Sequence, residues 1–310
     1  MKAVILAAGK GSRLYPATKA VAKPLLPLAN RMTLEYAFDE LHERGITQVC
    51  IVVGDNEKQM RESLGDGRMF HLDISYVRQP EPKGLAHAVG FTKDFVGGDD
   101  FVLYLGDAIY THPIKPFVDQ YRTSGSANLN LVKWVEDPRR FGVASLDGAR
   151  IVKLVEKPQN PESNWAMAGF YVFGPQLWEV MPDLKPSWRN EYEITDAIQL
   201  LVDRGHFVEA GKYEGSWFDT GTLDSFLETS RYLTEGKPHL SPDAHVEAEY
   251  EGHVVVGAGA HVKAPRIEDT VILPGAHIVS DGPLIGCLLG GELNLPGGLT
   301  SGIRYGDLEP

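Results

Sequence analysis

The sequence predicts an α/β protein, a large domain with a mostly parallel central sheet followed by a short β-solenoid. Three observations predict it. An apolar, β-branched run, Lys2 to Ala7, passes at once into a glycine-rich turn at Gly9, Gly11 and Ser12, the order expected where a sheet edge meets a phosphate. Strand-like runs then alternate with segments of helical period up to about residue 234. Beyond Pro238 a sixteen-residue period takes over.

The 310 residues, 43% hydrophobic and 23% charged, leave room for one large domain and a smaller module, divided here as 1–238 and 239–310. A net charge of -12 argues against nucleic acid as a partner. Any phosphate site must therefore be a local basic pocket, which Lys10, Arg13, Lys19 and Lys23 can supply. Cys50 and Cys287 stand in apolar contexts, as small buried hydrophobes do, so a reducing cytoplasm is expected. The N-terminal apolar run is too short for a signal peptide and no run approaches the roughly 18 residues of a membrane span, so no membrane partner is expected.

In the opening loop, glycines let backbone N–H groups turn toward an anion without a Cβ in the way, while Arg13 and Lys23 add positive charge. Pro16, Pro24 and Pro27 stiffen the segment. Neither familiar phosphate motif fits: Lys10 precedes Gly11, where a P-loop needs the reverse, and Leu14 stands where a dinucleotide fingerprint needs its third glycine. Thr33 to Arg44 carries Leu34, Ala37, Phe38 and Leu41 at helical spacing, and Gly45 ends it. Strands are expected at 48–53, 74–78 and 101–105, with helices at 57–64 and 84–95 between them.

In such a sheet the ligand lies at the carboxyl ends of the strands. Gln79, followed by Pro80 and Gly84, offers an amide donor and acceptor that could read a pyrimidine edge; the segment reads equally as a proline-stiffened turn. Asp107 ends an apolar strand, either as a ligand for Mg²⁺ or as a turn cap, and Asp219 stands between aromatic and glycine residues before a helix. Glu156-Lys157-Pro158 closes another strand; taken alone the pair reads as solvated surface. Arg189 and Glu191 lead into Ile194-Thr195-Asp196, with Glu193 and Asp196 reading as the start of the next helix.

In the last segment Ala244-His245-Val246, Ala260-His261-Val262 and Ala276-His277-Ile278 recur sixteen residues apart, with Gly259, Gly275 and Gly291 in phase. This is the pattern of a β-solenoid of roughly three to four coils. The in-phase histidines read as a side-chain ladder ahead of a metal site.

The stretch Gly9, Gly11, Ser12, Arg13, Leu14, Pro16, Thr18, then Lys23-Pro24-Leu25-Leu26-Pro27, resembles the signature of the sugar-1-phosphate nucleotidylyltransferases. Over residues 1 to about 235 the resemblance is to the glucose-1-phosphate thymidylyltransferases, in the form that carries a β-helical extension. It implies a Rossmann-like nucleotidyltransferase domain, a left-handed β-helix-like solenoid, and a homo-oligomer. It implies transfer of a nucleotidyl group from dTTP to a sugar-1-phosphate, with Mg²⁺ held by Asp107 and Asp219. Arg13, Lys23, Asp107, Lys157 and Asp219 would carry catalysis; Leu6, Ala8, Gly9, Gly11, Ser12, Gln79 and Gly84 would meet the nucleotide; Gly142, Glu156, Lys157, Arg189 and Glu191 would meet the sugar phosphate. Three positions depart from the family pattern: Ser12 for Thr, Ala108 for Asn, and Phe141 for Tyr, the last two bearing on the sugar. A UTP-dependent enzyme, a non-catalytic nucleotide-sugar sensor and an acyltransferase role for the solenoid stand as alternatives.

Overall fold

The computed structural model describes residues 1–309. The chain packs as two compact units, one formed by Met1–Gly9 with Ala37–Trp217, the other by Lys10–Tyr36 with the chain from Phe218 onward.

The first unit is built on nine strands: β1 Lys2–Leu6, β2 Gln48–Val53, β3 Asp73–Arg78, β4 Phe101–Leu105, β5 Asn128–Trp134, β6 Gly142–Asp147, β7 Arg150–Glu156, β8 Trp165–Phe173 and β9 Val208–Lys212. Their order in the sheet is β3-β2-β1-β4-β8-β5-β9-β7-β6. Strands β3, β2, β1 and β4 run parallel, with Leu6 opposite Val52 on one side and Leu105 on the other. Buried on both faces, β1 and β2 read as continuous apolar runs without alternation. Helices Leu85–Gly90 and Ile194–Asp203 cover the sheet with Ala86, Val89, Ile198 and Leu201, and Phe101 stacks on Phe173 at 5.5 Å between ring centres.

The expectation of a mostly parallel sheet holds for this half. In the other half β8 runs antiparallel to both β4 and β5, and β7 antiparallel to β6 and β9. The reason lies in the connections. No helix lies between β5 and β8, and Gly148, at φ +63°, turns β6 back into β7. A short turn can join only antiparallel strands, because a parallel pair needs a long crossover.

The second unit holds the loop Lys10–Tyr36, a helix Leu223–Leu233 and the solenoid. All the pairings between the solenoid's strands are parallel, with His245, His261, His277 and Glu292 side by side, so two sixteen-residue steps are followed by one of fifteen. Val254, Ile267, Ile272, Ile278 and Leu289 fill its interior. The in-phase glycines Gly259, Gly275 and Gly291 turn its corners at φ of +65 to +67°, where a Cβ would be strained. The exposed imidazoles of His245 and His261 lie tilted at 4.7 Å and those of His261 and His277 stack at 4.9 Å, and no group of three metal-ligating side chains occurs among the described residues. Cys50 and Cys287 are buried and unbonded to one another. Among the described residues no helix is long and apolar enough to cross a membrane.

Candidate active site

The predicted residues fall into two groups, one in each packing unit. In the first, β1 ends at Leu6, and its exit is fixed by hydrogen bonds. The Ala7 N–H donates to the Val52 carbonyl (2.9 Å), the Gly106 N–H to the Leu6 carbonyl (3.1 Å), and Asn56 Nδ2 to the Ala7 carbonyl (2.8 Å). Ala8 O sits 2.9 Å from where Gly54 would carry a Cβ, so Gly54 lets the chain pass close to Ala8 on its way to Gly9. Asp107 follows β4 in the tight turn before Ala108–Tyr110 and is half-buried.

Gln79 is buried and its amide is engaged, with Nε2 donating to the Gly84 carbonyl (3.3 Å) and lying 3.0 Å from His87 Nδ1. Gly84, at φ +105°, approaches the backbone of Tyr192, with which a Cβ would collide. The close approach that this glycine permits is thus to the chain itself, and it locks the Gln79 turn to the segment carrying Arg189 and Glu191.

Glu156, Lys157 and Arg189 form the most organised part of this group. Lys157 has a left-handed backbone, φ +43°, at the end of β7, where a residue with a Cβ sits only under constraint. Its N–H donates to the Phe141 carbonyl (3.0 Å), and its Nζ returns to Glu156 Oε1 at 3.3 Å. Thr195 Oγ1 donates to Glu156 Oε2 (3.1 Å), and Arg189 Nη1 lies 3.6 Å from Glu156 Oε1. Arg189 also reaches Glu191 (3.1 Å) and Glu193 (3.2 Å). Gly142 has room for no side chain, since a Cβ would stand 2.5 Å from Thr195 Cγ2 and 3.3 Å from Glu156 Oε2. Burial, opposed by the Ser187 hydroxyl and Arg189, raises the Glu193 carboxyl above its ordinary range; burial and then the charge of Glu156 raise Asp196. The cluster therefore sets carboxylates that accept hydrogen bonds beside two cations that can hold a phosphate.

Sequence reasoning passed over three residues here. Glu193, read as a helix start, is buried and makes no cap bond; it anchors Arg189 and Ser187 instead. Thr195 orients Glu156. Trp188, 80% exposed, lines an open cavity of about 450 Å³ with Glu156, Lys157 and Asp196.

In the second unit Gly11 takes φ +64°, and its carbonyl accepts from the Thr18 hydroxyl (2.8 Å) and the Leu14 N–H (2.9 Å). A Cβ there would stand 3.1 Å from both Lys23 Cβ and Thr18 Cγ2. The loop is thus folded around Gly11 so that the buried Lys23 lies across it. Ser12 and Arg13 are exposed on the short 3-10 turn Ser12–Leu14. Asp219 precedes the helix Leu223–Leu233, which Thr222 and Ser225 cap reciprocally. Above Gly221 the two meet: a Cβ there would lie 2.5 Å from Asp219 Oδ1 and 2.7 Å from Arg13 Nη2. An acidic oxygen and a guanidinium thus both face the open side of Gly221.

Asp107 and Asp219 are hard oxygen donors, and both are half-buried. Mg²⁺ takes one or two carboxylates and completes its shell with water and phosphate oxygens, so either carboxylate by itself is a donor of the right chemistry.

The model of the nucleotidyl transferase family matches residues 2–236. The chain is 38% identical to the low-salt glycan biosynthesis nucleotidyltransferase Agl11 of Haloferax volcanii, over 95% of this chain and 94% of that protein. It is 41% identical to a glucose-1-phosphate thymidylyltransferase of Streptomyces antibioticus, over 91% of this chain and 80% of that one. A crystal structure of UDP-glucose pyrophosphorylase complexed with UDP-glucose superposes with a TM-score of 0.69 at 28% identity, covering 76% of this chain and 99% of the other.

Proposed function

Because the chain belongs to the nucleotidyl transferase family, among its sugar-1-phosphate members, we propose that it makes a dTDP-sugar from dTTP and glucose-1-phosphate, releasing pyrophosphate. The observation that carries this reading is Glu156, held by Thr195 and Arg189, with Lys157 Nζ 3.3 Å away. An acceptor for hydroxyls next to a cation for a phosphate matches the two ends of a sugar phosphate. The thymidylyltransferase relatives support dTTP.

In this reading an oxygen of the sugar phosphate attacks the α-phosphorus. A new P–O bond forms, the bond to the β-phosphate bridging oxygen breaks, and pyrophosphate leaves with the electron pair. The nucleophile is already an anion at neutral pH, so catalysis is positioning and charge stabilisation. Lys157 holds the sugar phosphate, Glu156, Glu191 and the Gly142 backbone orient the sugar, and Arg189 keeps the carboxylates in place. Leu6, Ala8 and Gly9 lead the chain to the phosphates, where Gly11, Ser12 and Arg13 meet the departing pyrophosphate and Lys23 the α-phosphate; Gln79 and Gly84 shape the base side. Asp107 and Asp219 are the carboxylates we assign to Mg²⁺, which when bound neutralises phosphate charge. In chain order we assign 1–238 to catalysis and 239–310 to the extension, in a cytoplasmic homo-oligomer.

A second reading, UTP in place of dTTP, is favoured by the UDP-glucose pyrophosphorylase neighbour. The bases differ by one methyl, which a hydrophobic wall discriminates by only about 1–3 kcal/mol. Pyrophosphate release with Mg²⁺, across five nucleoside triphosphates and four hexose-1-phosphates, tests both. A maximum at dTTP with glucose-1-phosphate supports the first; a maximum at UTP replaces it with the second; nucleotide binding without turnover on any pair leaves a sensor.

A further inference from the structure

We propose that the solenoid is a brace for the phosphate-binding loop, with Asn30 and Lys19 as its positioning residues; this rests on the reading of Gly11, Arg13 and Lys23 as triphosphate contacts. The loop Lys10–Tyr36 shares its packing unit with the solenoid, although more than two hundred positions of sequence separate them. Two anchors join them, and Lys23 lies between the two.

The first anchor is a tight hairpin. Pro27 pairs with Met32 and Leu28 with Arg31, leaving Ala29 (φ +49°) and Asn30 (φ +60°) as a two-residue turn with both centres left-handed. Asn suits such a turn and Ala does not, so the hairpin is held by what it touches. Asn30 Nδ2 donates to the carbonyls of His239 (3.2 Å) and Val256 (3.1 Å), which belong to parallel-paired strands of successive coils. One amide thus ties the hairpin to two strands at once. Its own Oδ1 is buried without a hydrogen-bond partner, so the side chain is placed there for its two donors alone.

The second anchor lies at the other end of the solenoid. The short helix Ala17–Ala20 packs on Leu288–Gly290 and Ile303–Tyr305 of the last coils. Lys19 Nζ donates to the Glu309 carbonyl (2.5 Å), with the Tyr15 ring 5.0 Å beneath the ammonium. The helix Leu223–Leu233 packs on both Pro27–Leu28 and the solenoid strands. The stretch that runs from Thr18, which bonds Gly11, through Lys23 to Asn30 is therefore fixed at residues 19 and 30 by a module that carries none of the proposed reacting groups.

The test uses the full-length chain with Asn30→Asp, which keeps size and turn preference but faces two carbonyls with a carboxylate, and Asn30→Gly, which keeps the turn and loses the amide. Lys19→Met is the second site should either fail to fold. Affinity is read with dTTP and with UTP, KM with glucose-1-phosphate, and backbone hydrogen exchange over residues 10–27. The brace predicts about a tenfold loss of nucleotide affinity, the scale of one or two lost hydrogen bonds, with the sugar-phosphate KM within about twofold and faster exchange over 10–27. Unchanged exchange and affinity, or equal losses for both substrates, overturns it. If the wild-type chain binds neither nucleotide, the triphosphate reading fails by itself, and exchange over 10–27 still decides whether the brace exists.

Discussion

The cluster around Glu156 and the loop around Gly11 are two ways of holding a cation ready for a phosphate. At Glu156 the positions are set by charge: Lys157 and Arg189 lie among Glu156, Glu191 and Glu193, within 3.1 to 3.6 Å of their partners. At Gly11 they are set by shape: a left-handed glycine leaves the space that Lys23 and Thr18 occupy. A charge network tolerates small changes of shape but responds to protons and to loss of a partner. A shaped turn ignores pH and fails when a methyl group is added.

The largest expected effect follows from adding that methyl. Gly11→Ala meets a left-handed backbone, at a cost of about 1–2 kcal/mol, and pushes against Lys23 and Thr18. A displacement of about 1 Å at a reacting group can lower turnover about 10²-fold. Steady-state pyrophosphate release should show that loss in kcat/KM for the nucleotide, and a loss below about threefold would remove the distinction drawn here.

Glu156→Gln should act more weakly and on the other substrate. Gln keeps the oxygen that Thr195 reaches and loses the charge that Lys157 and Arg189 meet. The KM for the sugar phosphate should rise about tenfold, as for one charge-assisted hydrogen bond, while the nucleotide KM stays within about twofold. Equal rises in both would merge the two regions.

The smallest effect is that of acid. Burial raises Glu193 and Asp196, so the folded chain takes up these protons at a higher pH than the unfolded chain does. Their contribution to stability is full below the unfolded values near 4, and is lost as pH rises through the raised folded values. Acidification from neutrality therefore does not unfold the cluster through these two groups. It loosens Arg189 by protonating Glu193. The sugar-phosphate KM should rise a few-fold as pH falls from neutrality through the raised Glu193 value, less so in Glu193→Gln, with melting temperature and KM compared on the same two proteins. An identical pH profile in the variant would exclude Glu193 as the proton acceptor.

The loop and the solenoid were legible because their signals are local. Gly11 and the sixteen-residue period each specify a backbone conformation at the residue that carries it, and the corner glycines and histidine ladder follow. The antiparallel entry of β8 between β4 and β5 was not legible, since pairing Tyr171 with both Leu103 and Asn130 depends on residues some forty to seventy positions apart. Gly84 showed the same limit: the sequence announces a close approach there but does not say that Tyr192 makes it. Glu193 was hidden because a helix start and a buried ion pair use the same acidic residue.

The double anchoring of the loop also sets a timetable for synthesis. The carbonyls that receive Asn30 and Lys19 belong to His239, Val256 and Glu309, so an early-made part of the site depends on residues made more than two hundred positions later. At about 5–20 residues per second, Asn30 leaves the ribosome's catalytic centre roughly a quarter of a minute to a minute before Glu309 does. Only once Lys212 is made does the nascent chain hold all nine sheet strands, and until Glu309 follows it lacks one of the loop's two anchors.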